Sequence, residues 1–430
     1  MMNFRGTNQD CGQMGFSFLT GGTEMKWLIA DRVIIGDGEH VIEQGAVGID
    51  ERGKIVAVGK ESELTDSISV GEVKRYTGCS ILPGLIDLHV HIGYWWSKPD
   101  SAEYRNNDGL VALLATANLK EALSLGVTTI RDVAAPDGLC STLKMAAKNK
   151  FIVSPRLFQV NQGIIMTGGH GWQLEGALRE ANGPWEVRTA VREQVRAGAD
   201  WIKLMTSHRT PTPEFTQEEL DVAVDESHRL GRKCCVHAST QPAIQMAIDA
   251  GFDTIEHATF MTVEQAEQMK EKGLVWVPTM ITFFQIADYY KHIWNEQQQA
   301  NQGILSEGLI EQGAFFIESE KAYRENFVQL MNTGVKIATG TDIVLEGYPI
   351  TPVAEEIKLM VELGMEPIRA IQAATQNAAE VLDQGSKIGT LAPGYFADLL
   401  VVKGDPLQEI EVLKQVEEVF LEGVTVYSKC

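Results

Sequence analysis

Eight short apolar runs recur along the middle of this 430-residue chain, and amphipathic segments separate most of them. Residues 111–126 and 218–231, for example, carry apolar residues at helical spacing, and each segment ends at a glycine that suits a helix C terminus. Eight strands that alternate with helices are typical of a (β/α)8 TIM barrel, so the pattern predicts an α/β fold of that kind. The apolar runs are residues 81–91, 127–133, 155–160, 200–206, 233–238, 253–258, 274–280 and 335–342.

The two ends of the chain show a different pattern. Residues 27–72 and 389–429 consist of short alternating runs with glycine and aspartate turns, which is typical of antiparallel sheet. We therefore expect residues 25–80 and 386–430 to pair into one small β-sandwich domain. The barrel, residues 81–385, would be inserted between them.

The amino-acid composition makes some classes of binding partner unfavourable. The chain has 58 acidic against 37 basic residues and a net charge of -21, which disfavours binding to nucleic acid and to anionic membranes. No apolar run approaches the roughly 18 residues that suggest a membrane span. We expect a small-molecule substrate as the partner, with no nucleic acid and no membrane.

Cysteine usage and the N-terminal sequence bear on location. The six cysteines lie scattered without C-x-x-C spacing, as is typical of reduced thiols in a cytoplasmic enzyme. The adjacent Cys234 and Cys235 are interpreted as buried thiols that point to opposite faces of a strand. Residues 1–24 lack the basic and apolar regions of a secretory signal, and we expect them to form a disordered extension. These features predict a cytoplasmic location.

The residues that carry chemistry share one position, the C-terminal end of an apolar run. In a (β/α)8 barrel the active site is built at that rim. His89 and His91 are two residues apart on a strand and project to the same face, where they can bind one ion. The pair alone is equally compatible with two hydrogen-bonded core histidines, but the later residues favour a metal site, for zinc first and for manganese, cobalt or iron second. The full set is His89, His91, Lys203, His237, His257 and Asp342.

Lys203 is the unexpected member of this set. An unmodified ammonium group would repel a metal ion, whereas a lysine carboxylated by CO2 offers two anionic oxygens that can bridge two ions. The alternative is a lysine that turns away to pair with an acid such as Asp200 or Glu226. We favour the bridging role.

With these residues in place, the chain resembles the amidohydrolase superfamily. The resemblance extends from about residue 25 to the C-terminal region and includes "LPGLIDLHVH" before the first histidine pair and "GTLAPGYFADLLVV" after the last aspartate. The segments "IIMTGGHGW", "RAGADWIKLM", "DTIEHATF" and "ATGTDIV" are most similar to the prolidase-like, imidazolonepropionase-related branch. That branch includes cytoplasmic dipeptidases and Xaa-Arg carboxypeptidases.

The resemblance implies a binuclear metal-dependent hydrolase, with zinc as the expected metal. His89, His91 and Asp342 would hold the first ion, His237 and His257 the second, and carboxylated Lys203 would bridge them. A bridging hydroxide would attack the amide, and Asp342 would act as the catalytic base and then as the acid. Asp87 or Glu256 could orient a metal-binding imidazole. The expected substrate is a dipeptide or an N-acyl amino acid, and relatives commonly form homo-oligomers.

Candidate substrate contacts are weaker predictions. His170 lies on a Gly-rich loop where it could contact a substrate carbonyl, and Arg209 could bind a substrate carboxylate. Tyr94 belongs to a "GYWW" segment that could close over the pocket. Each has a plain alternative as a turn histidine, a solvated cation or a packing residue. The chain departs from its relatives at "TSHRTPTP" after the fourth strand. After His237 it has Ala238 and Ser239 where relatives often show a second histidine or a tyrosine, which puts the usual substrate contacts in doubt.

Two further functions stay open from the sequence alone. The first is a cyclic-amide hydrolase of the hydantoinase, dihydroorotase or imidazolonepropionase kind. Lys203 argues against the mononuclear metal site of imidazolonepropionase, although not against the metal site of a hydantoinase. The second is a catalytically inactive scaffold, which should lack metal ligands, whereas this chain has the complete set.

Overall fold

The structure of the chain is a computed structural model that describes most of the sequence. The described residues are 25–69, 71–93, 107–174, 176–207, 211–300, 307–345 and 348–429. The predicted extension at residues 1–24 therefore lies outside them, as do Tyr94 and Arg209. Within the described residues, no helix combines the length and the apolar character needed to cross a membrane.

Strands occupy both ends of the chain and recur at intervals through its middle. They are β1 Lys26–Ile34, β2 Val41–Ile49, β3 Ile55–Lys60, β4 Glu72–Pro83, β5 Leu85–Val90, β6 Val127–Asp132, β7 Arg156–Gln159, β8 Gly163–Ile165, β9 Leu178–Glu180, β10 Trp201–Met205, β11 Lys233–Ala238, β12 Thr254–His257, β13 Val275–Val277, β14 Lys336–Ile337, β15 Leu399–Lys403, β16 Val416–Leu421 and β17 Val424–Ser428.

Helices fill most of the intervals between the central strands. They are α1 Thr65–Ile68, α2 Asp108–Ser124, α3 Leu139–Lys148, α4 Gly183–Arg196, α5 Gln217–Arg229, α6 Gln241–Ala250, α7 Val263–Lys272, α8 Met280–Ala300, α9 Glu307–Asn332, α10 Val353–Glu362, α11 Pro367–Ala373 and α12 Gln376–Val381. The two segments predicted from helical spacing correspond to α2 and α5. Helix α5 begins with a capping box in which Thr216 and Glu219 satisfy each other's backbone N–H groups.

Both chain ends form one β domain, as predicted. Its seven strands lie in the order β17-β16-β15-β4-β1-β2-β3, with β4 between a strand from each end of the chain. The sheet folds back on itself, because Ile55 N donates to Tyr395 O over 2.9 Å and Ala397 N to Gly53 O over 2.8 Å. Residues from both halves of the sheet, such as Val47 and Phe420, therefore share one apolar cluster.

The middle of the chain forms the parallel strands of the barrel. Strands β5, β6 and β7 make one sheet, and β10 to β14 follow one another in a second. Backbone hydrogen bonds cross both gaps between these sheets. Leu88 N donates to Thr339 O over 3.0 Å on one side, and Asp200 N donates to Gln159 O over 2.8 Å on the other. All eight predicted runs contain a strand of this ring.

Two short strands were not predicted. Strand β8 pairs with β10 through Ile164 and Leu204, and β9 adds to the outer edge of β8. Each has only three residues, which is too short for an alternating pattern to reveal. The Gly-rich loop that carries His170 connects them, so this loop is anchored to the sheet at both ends.

The adjacent cysteines take opposite faces of β11, as predicted. Cys234 packs between the strands and the surrounding helices, whereas Cys235 belongs to the apolar cluster inside the barrel. The aromatic segment at residues 281–294 lies in α8, where Phe283 and Tyr290 are buried. Both rings contact Phe316 of α9, so these side chains serve helix packing.

Candidate metal centre

The six residues singled out at the ends of the apolar runs come together at one end of the barrel. His89 lies on β5 with His91 directly after it, Lys203 on β10, and His237 on β11. His257 ends β12, and Asp342 follows β14. The five basic residues are each at most 9% exposed, and 17% of the Asp342 side chain is exposed. We call these six residues the rim cluster.

Asp342 lies at the centre of three imidazoles. Its Oδ1 atom is 3.3 Å from His91 Nε2 and 3.6 Å from His89 Nε2, and its Oδ2 atom is 3.9 Å from His257 Nε2. The ligand atoms of His89, His257 and Asp342 all lie within 4.8 Å of one another, a spacing at which they could hold one metal ion. Imidazole nitrogen and carboxylate oxygen suit zinc and other divalent transition metals.

The other ring nitrogen of each of these histidines is held by a hydrogen bond. The Nδ1 atom of His89 lies 2.7 Å from Glu256 Oε2, and Nδ1 of His91 lies 3.1 Å from the carbonyl oxygen of residue 134. Both partners only accept, so both Nδ1 atoms carry the proton. Nδ1 of His257 lies 2.6 Å from Thr279 Oγ1. In the neutral rings of His89 and His91 the free electron pair is therefore on Nε2, which faces Asp342, the arrangement expected of metal-binding histidines.

Glu256 is itself held by two buried groups. Its Oε1 atom accepts from Arg131 Nη2 over 2.9 Å and from Thr254 Oγ1 over 2.5 Å. Arg131 is 0% exposed, and its Nε atom also donates to the carbonyl oxygen of Leu88 over 2.7 Å. Sequence reasoning missed Arg131. The available signal was a charged residue inside the apolar run "VTTIRDV".

Of the two carboxylates considered as partners of a metal-binding imidazole, Glu256 takes that position and Asp87 does not. Asp87 accepts from the backbone N–H groups of His89 and Thr341, over 3.1 and 3.0 Å, and from Thr341 Oγ1 over 2.6 Å. Complete burial raises the pKa of Asp87 to about 7 despite these hydrogen bonds. Asp87 therefore fastens the segment before Asp342 to the first barrel strand.

Lys203 is a buried cation without a hydrogen-bond partner among the described residues. It is 1% exposed, and its Nζ atom contacts no acceptor in that part of the chain. The two acids considered as alternative partners are engaged elsewhere, Asp200 with Lys144 at 2.6 Å and Glu226 with Arg192 at 2.7 Å. Burial lowers the pKa of Lys203, which favours the neutral amine that can react with CO2.

His237 is the remaining member of the rim cluster, and His170 packs against it. The rings of His237 and His257 meet edge to face at 4.5 Å, and the ring of His170 stacks on His237 at 4.2 Å. The structure thus places His170, predicted as a substrate contact, beside the rim cluster. Burial lowers the pKa of His237 well below its usual range and that of His257 to about 4. Both rings are therefore neutral near pH 7 and have an electron pair to donate to a metal ion.

The backbone is strained at two members of the rim cluster. His257 and Asp342 have φ angles of 67° and 51°, in the left-handed region that costs a non-glycine residue about 1–3 kcal/mol. The carbonyl oxygen of His257 accepts from Trp276 Nε1 over 2.7 Å and from Tyr323 Oη over 3.0 Å, and Asp342 N donates to His89 O over 2.8 Å. These bonds hold both side chains toward the centre of the cluster.

Comparisons with known proteins agree with this fold. Residues 80–426 match the amidohydrolase family. Ochratoxinase of Aspergillus niger is 31% identical over 431 residues, which cover 90% of this chain and 83% of that protein. Its crystal structure matches with a TM-score of 0.80 and 28% identity over 95% of this chain and 96% of that chain.

Two other relatives lie in the same group. The crystal structure of a Xaa-Pro dipeptidase with methionine bound in its active site matches with a TM-score of 0.79 and 27% identity, over 94% of this chain and all of that chain. Imidazolonepropionase of a Geobacillus species is 23% identical over 396 residues, 84% of each chain. This chain belongs to the amidohydrolase family, in its prolidase-like branch, and is a hydrolase of carbon–nitrogen bonds. The predicted resemblance is confirmed.

Proposed function

We propose that this enzyme is a binuclear metal-dependent amidohydrolase that cleaves the amide C–N bond of a dipeptide or an N-acyl amino acid. The observation that carries the proposal is Lys203, a buried amine without a partner among the described residues. Burial foremost, and the charge of Lys203 in addition, lower the pKa of His89, His237 and His257, so Lys203 lies near the donors of both metal ions in the proposal. An uncompensated ammonium group is costly in such a position, whereas a carboxylated one is a metal ligand.

The donor set fits two ions of the zinc type. His89, His91 and Asp342 would hold the first, and His237 and His257 would hold the second, with carboxylated Lys203 between them. The contacts of Asp342 Oδ1 with His89 and His91 support the first group, and the edge-to-face contact of His237 with His257 supports the second. When bound, the two ions supply Lewis acidity toward the scissile carbonyl and lower the pKa of water.

Asp342 is positioned to move the proton. Burial alone would raise the pKa of its carboxyl group, but the facing imidazoles, His89 foremost, hold that pKa below its ordinary value. An ionised carboxylate at the mouth of the cluster can accept a proton from the attacking water and deliver it to the leaving nitrogen. Its exposed fraction of 17% gives it access to the substrate side, while the three imidazoles fix its orientation.

The proposed substrate class is supported by the relatives and by the residue that packs beside the rim cluster. One structural relative is a Xaa-Pro dipeptidase, which supports a dipeptide or a related amide here. His170, stacked on His237, would contact the substrate carbonyl. Arg209 would bind a substrate carboxylate and Tyr94 would belong to a segment that closes over the pocket, and both residues lie outside the described part of the chain. We further propose a cytoplasmic homo-oligomer that binds neither nucleic acid nor membrane.

Metal analysis tests the binuclear centre. Protein expressed with added zinc should hold two ions per chain, and Lys203→Ala should lose metal and activity together. A short carboxylic acid such as acetate should restore part of both, because it can occupy the place of the lysine carboxylate. Lys144→Ala, which removes a lysine paired with Asp200 outside the rim cluster, is the control and should keep both ions. Fewer than one ion per chain in the native protein would contradict a binuclear centre.

A substrate screen tests the amide class. Dipeptides and N-acyl amino acids should be hydrolysed, whereas hydantoins and lactones should not. Turnover confined to the cyclic compounds would replace our proposal by a cyclic-amide hydrolase. If the metal-loaded protein turned over neither class, an inactive scaffold would be the better description. With a substrate identified, His170→Asn should raise KM more than it lowers kcat.

A further inference from the structure

A second group of metal-binding side chains lies at the opposite end of the barrel from the rim cluster. His228 is the last residue but one of α5, Cys234 is the second residue of β11, and Asp253 directly precedes β12. Their ligand atoms all lie within 4.8 Å of one another. We call these three residues the thiol cluster.

The distances within the thiol cluster are close to those around a single ion. His228 Nε2 lies 2.9 Å from Asp253 Oδ2, Cys234 Sγ lies 3.6 Å from the same oxygen, and Sγ lies 3.9 Å from Nε2. Ligand atoms of a tetrahedral zinc ion are about 3.3–3.6 Å apart, from bond lengths of about 2.0–2.3 Å. Each observed distance is within about half an ångström of that spacing. A small rotation of the His228 ring would bring all three to it.

The thiol cluster is both anchored and accessible. Asp253 Oδ2 also accepts from the backbone N–H of Cys234 over 2.8 Å, which fixes the carboxylate beside the sulfur. His228 has 45% of its side chain exposed, so an ion can enter from solvent on that side. The neighbouring Lys233 points elsewhere, since its Nζ atom donates to Val381 O over 3.0 Å and to Asp383 Oδ1 over 2.5 Å.

The thiol cluster is separate from the rim cluster in both position and face. Cys234 lies on the outer face of β11, whereas His237 is three residues further on and shares the inner face with Cys235. Three residues of strand span about 10 Å. The sheet itself therefore stands between the two groups.

We propose that the thiol cluster is a binding site for one divalent cation of the zinc and cadmium class, held by Cys234 Sγ, His228 Nε2 and an oxygen of Asp253, with water as the fourth ligand. Sulfur, nitrogen and oxygen donors together select borderline and soft ions over magnesium or calcium. On binding, the thiol releases its proton to solvent and the sulfur donates an electron pair to the ion, while the imidazole proton resides on Nδ1.

The proposed ion would connect the C-terminal end of helix α5 to the N-terminal ends of two strands. Those strands, β11 and β12, carry His237 and His257 at their other ends. An ion that binds the folded chain and not the unfolded chain stabilises the fold by mass action. The proposed role of the ion is therefore structural, because it would connect helix α5 to the two strands that carry His237 and His257.

Cadmium titration of the zinc-loaded full-length enzyme tests this inference independently of the proposed function. Cadmium bound to thiolate gives an ultraviolet charge-transfer band, which the nitrogen and oxygen donors of the rim cluster cannot produce. We expect one thiolate-bound cadmium per chain and a higher melting temperature. Cys234→Ser should abolish the band, and His228→Gln should keep the fold but weaken cadmium binding by at least about 10-fold, because even the loss of a ligand's hydrogen-bond partner costs that much.

Two control variants separate this site from other groups. Cys235→Ala removes the adjacent thiol on the inner face and should leave the band unchanged. His40→Gln breaks an exposed histidine–aspartate pair of 2.6 Å, with Asp37, and should not affect cadmium affinity. Absence of a band in the native enzyme, or a band of the same intensity and affinity in His228→Gln, would overturn the inference. If Cys234→Ser does not fold, the His228→Gln titration still decides it.

Discussion

The Nδ1 atom of His89 lies 2.7 Å from Oε2 of Glu256, on the far side of the imidazole from Asp342. Glu256 in turn binds Arg131, and all three side chains are at most 2% exposed. The three residues come from β5, β12 and β6, so the contact crosses the interior of the barrel. A buried carboxylate thus fixes the tautomer and the orientation of His89, the first of the proposed metal ligands.

This relationship predicts the effect of Glu256→Gln. The amide keeps the size of the side chain but removes the charge that supports His89 and compensates Arg131. We expect metal affinity or kcat/KM to fall by about 10- to 100-fold, as is usual when the partner of a metal-binding imidazole is lost. Competition with a chelator, measured on the folded variant, gives the metal affinity. Glu380→Gln, which removes a surface carboxylate paired with Lys336 at 2.7 Å, should leave it unchanged.

Asp342→Asn separates metal binding from proton transfer. Asparagine retains one oxygen toward His89 and His91 but cannot take up the proton of the attacking water. We expect the variant to keep most of its metal and to lose about 10²- to 10⁴-fold in kcat. Metal content and turnover should be measured on the same preparation. Substantial turnover at full metal content would remove the role of Asp342 as proton carrier.

Gly340→Ala should displace His89 through packing alone. A Cβ atom at residue 340 would lie 2.7 Å from the Cβ of His89 and 2.6 Å from Val277 Cγ1, so β5 and the segment before Asp342 would have to separate. We expect a loss of about 1–3 kcal/mol in the free energy of unfolding. Metal affinity should fall with it, because His89 moves. Denaturant unfolding of the metal-free protein measures the first effect.

Gly308→Ala is the matched control for that substitution. Gly308 lies in the first turn of α9 with no atom within 4 Å of its would-be Cβ. Alanine there should be neutral or should stabilise the protein by about 0.5–1 kcal/mol, because it restricts the unfolded chain and favours helix. If both alanine variants lost the same stability, close packing at Gly340 would not be the cause.

Glu356, which is not a member of the rim cluster, is expected to make the stability of the protein depend on pH. Its two carboxylate oxygens accept from the backbone N–H groups of Met280 and Ile281, over 2.9 and 2.7 Å, yet complete burial raises the pKa of Glu356 to about 8. An acid with a raised pKa in the folded state binds its proton more tightly there than in the unfolded chain. Its contribution to stability is therefore greatest below the ordinary pKa of 4.5 and is lost as the pH rises to about 8.

Unfolding of Glu356→Gln over this pH range tests the assignment. The native protein should lose stability between about pH 5 and 8, and the variant should show a flatter profile because it has no proton to release. Glu355→Gln is the control, since the neighbouring Glu355 is partly exposed and pairs with Lys414 at 2.9 Å. Identical profiles for the native protein and Glu356→Gln would assign the pH dependence to another group.

Local periodicity determined most of the architecture. Each apolar run contains a barrel strand because burial on both faces of a parallel strand requires a continuous apolar sequence. The positions of the candidate metal-binding residues followed from the same reasoning. Residues at the C-terminal ends of successive parallel strands must meet at one rim, whatever the details of their packing. His89, His237 and His257 could therefore be placed together before any distance was known.

The tertiary structure alone decided which groups face one another. Glu256 and Asp87 were equal candidates for supporting an imidazole, and only the packing of the barrel strands against one another turns Glu256 toward His89. Arg131 and His228 are ordinary charged or polar residues in sequence, because neither spacing nor propensity encodes a partner on another element. Hydrogen bonds depend on distances of a few tenths of an ångström and on side-chain direction. Those quantities are set by the packing of the whole barrel, whereas strand and helix are set by their own residues.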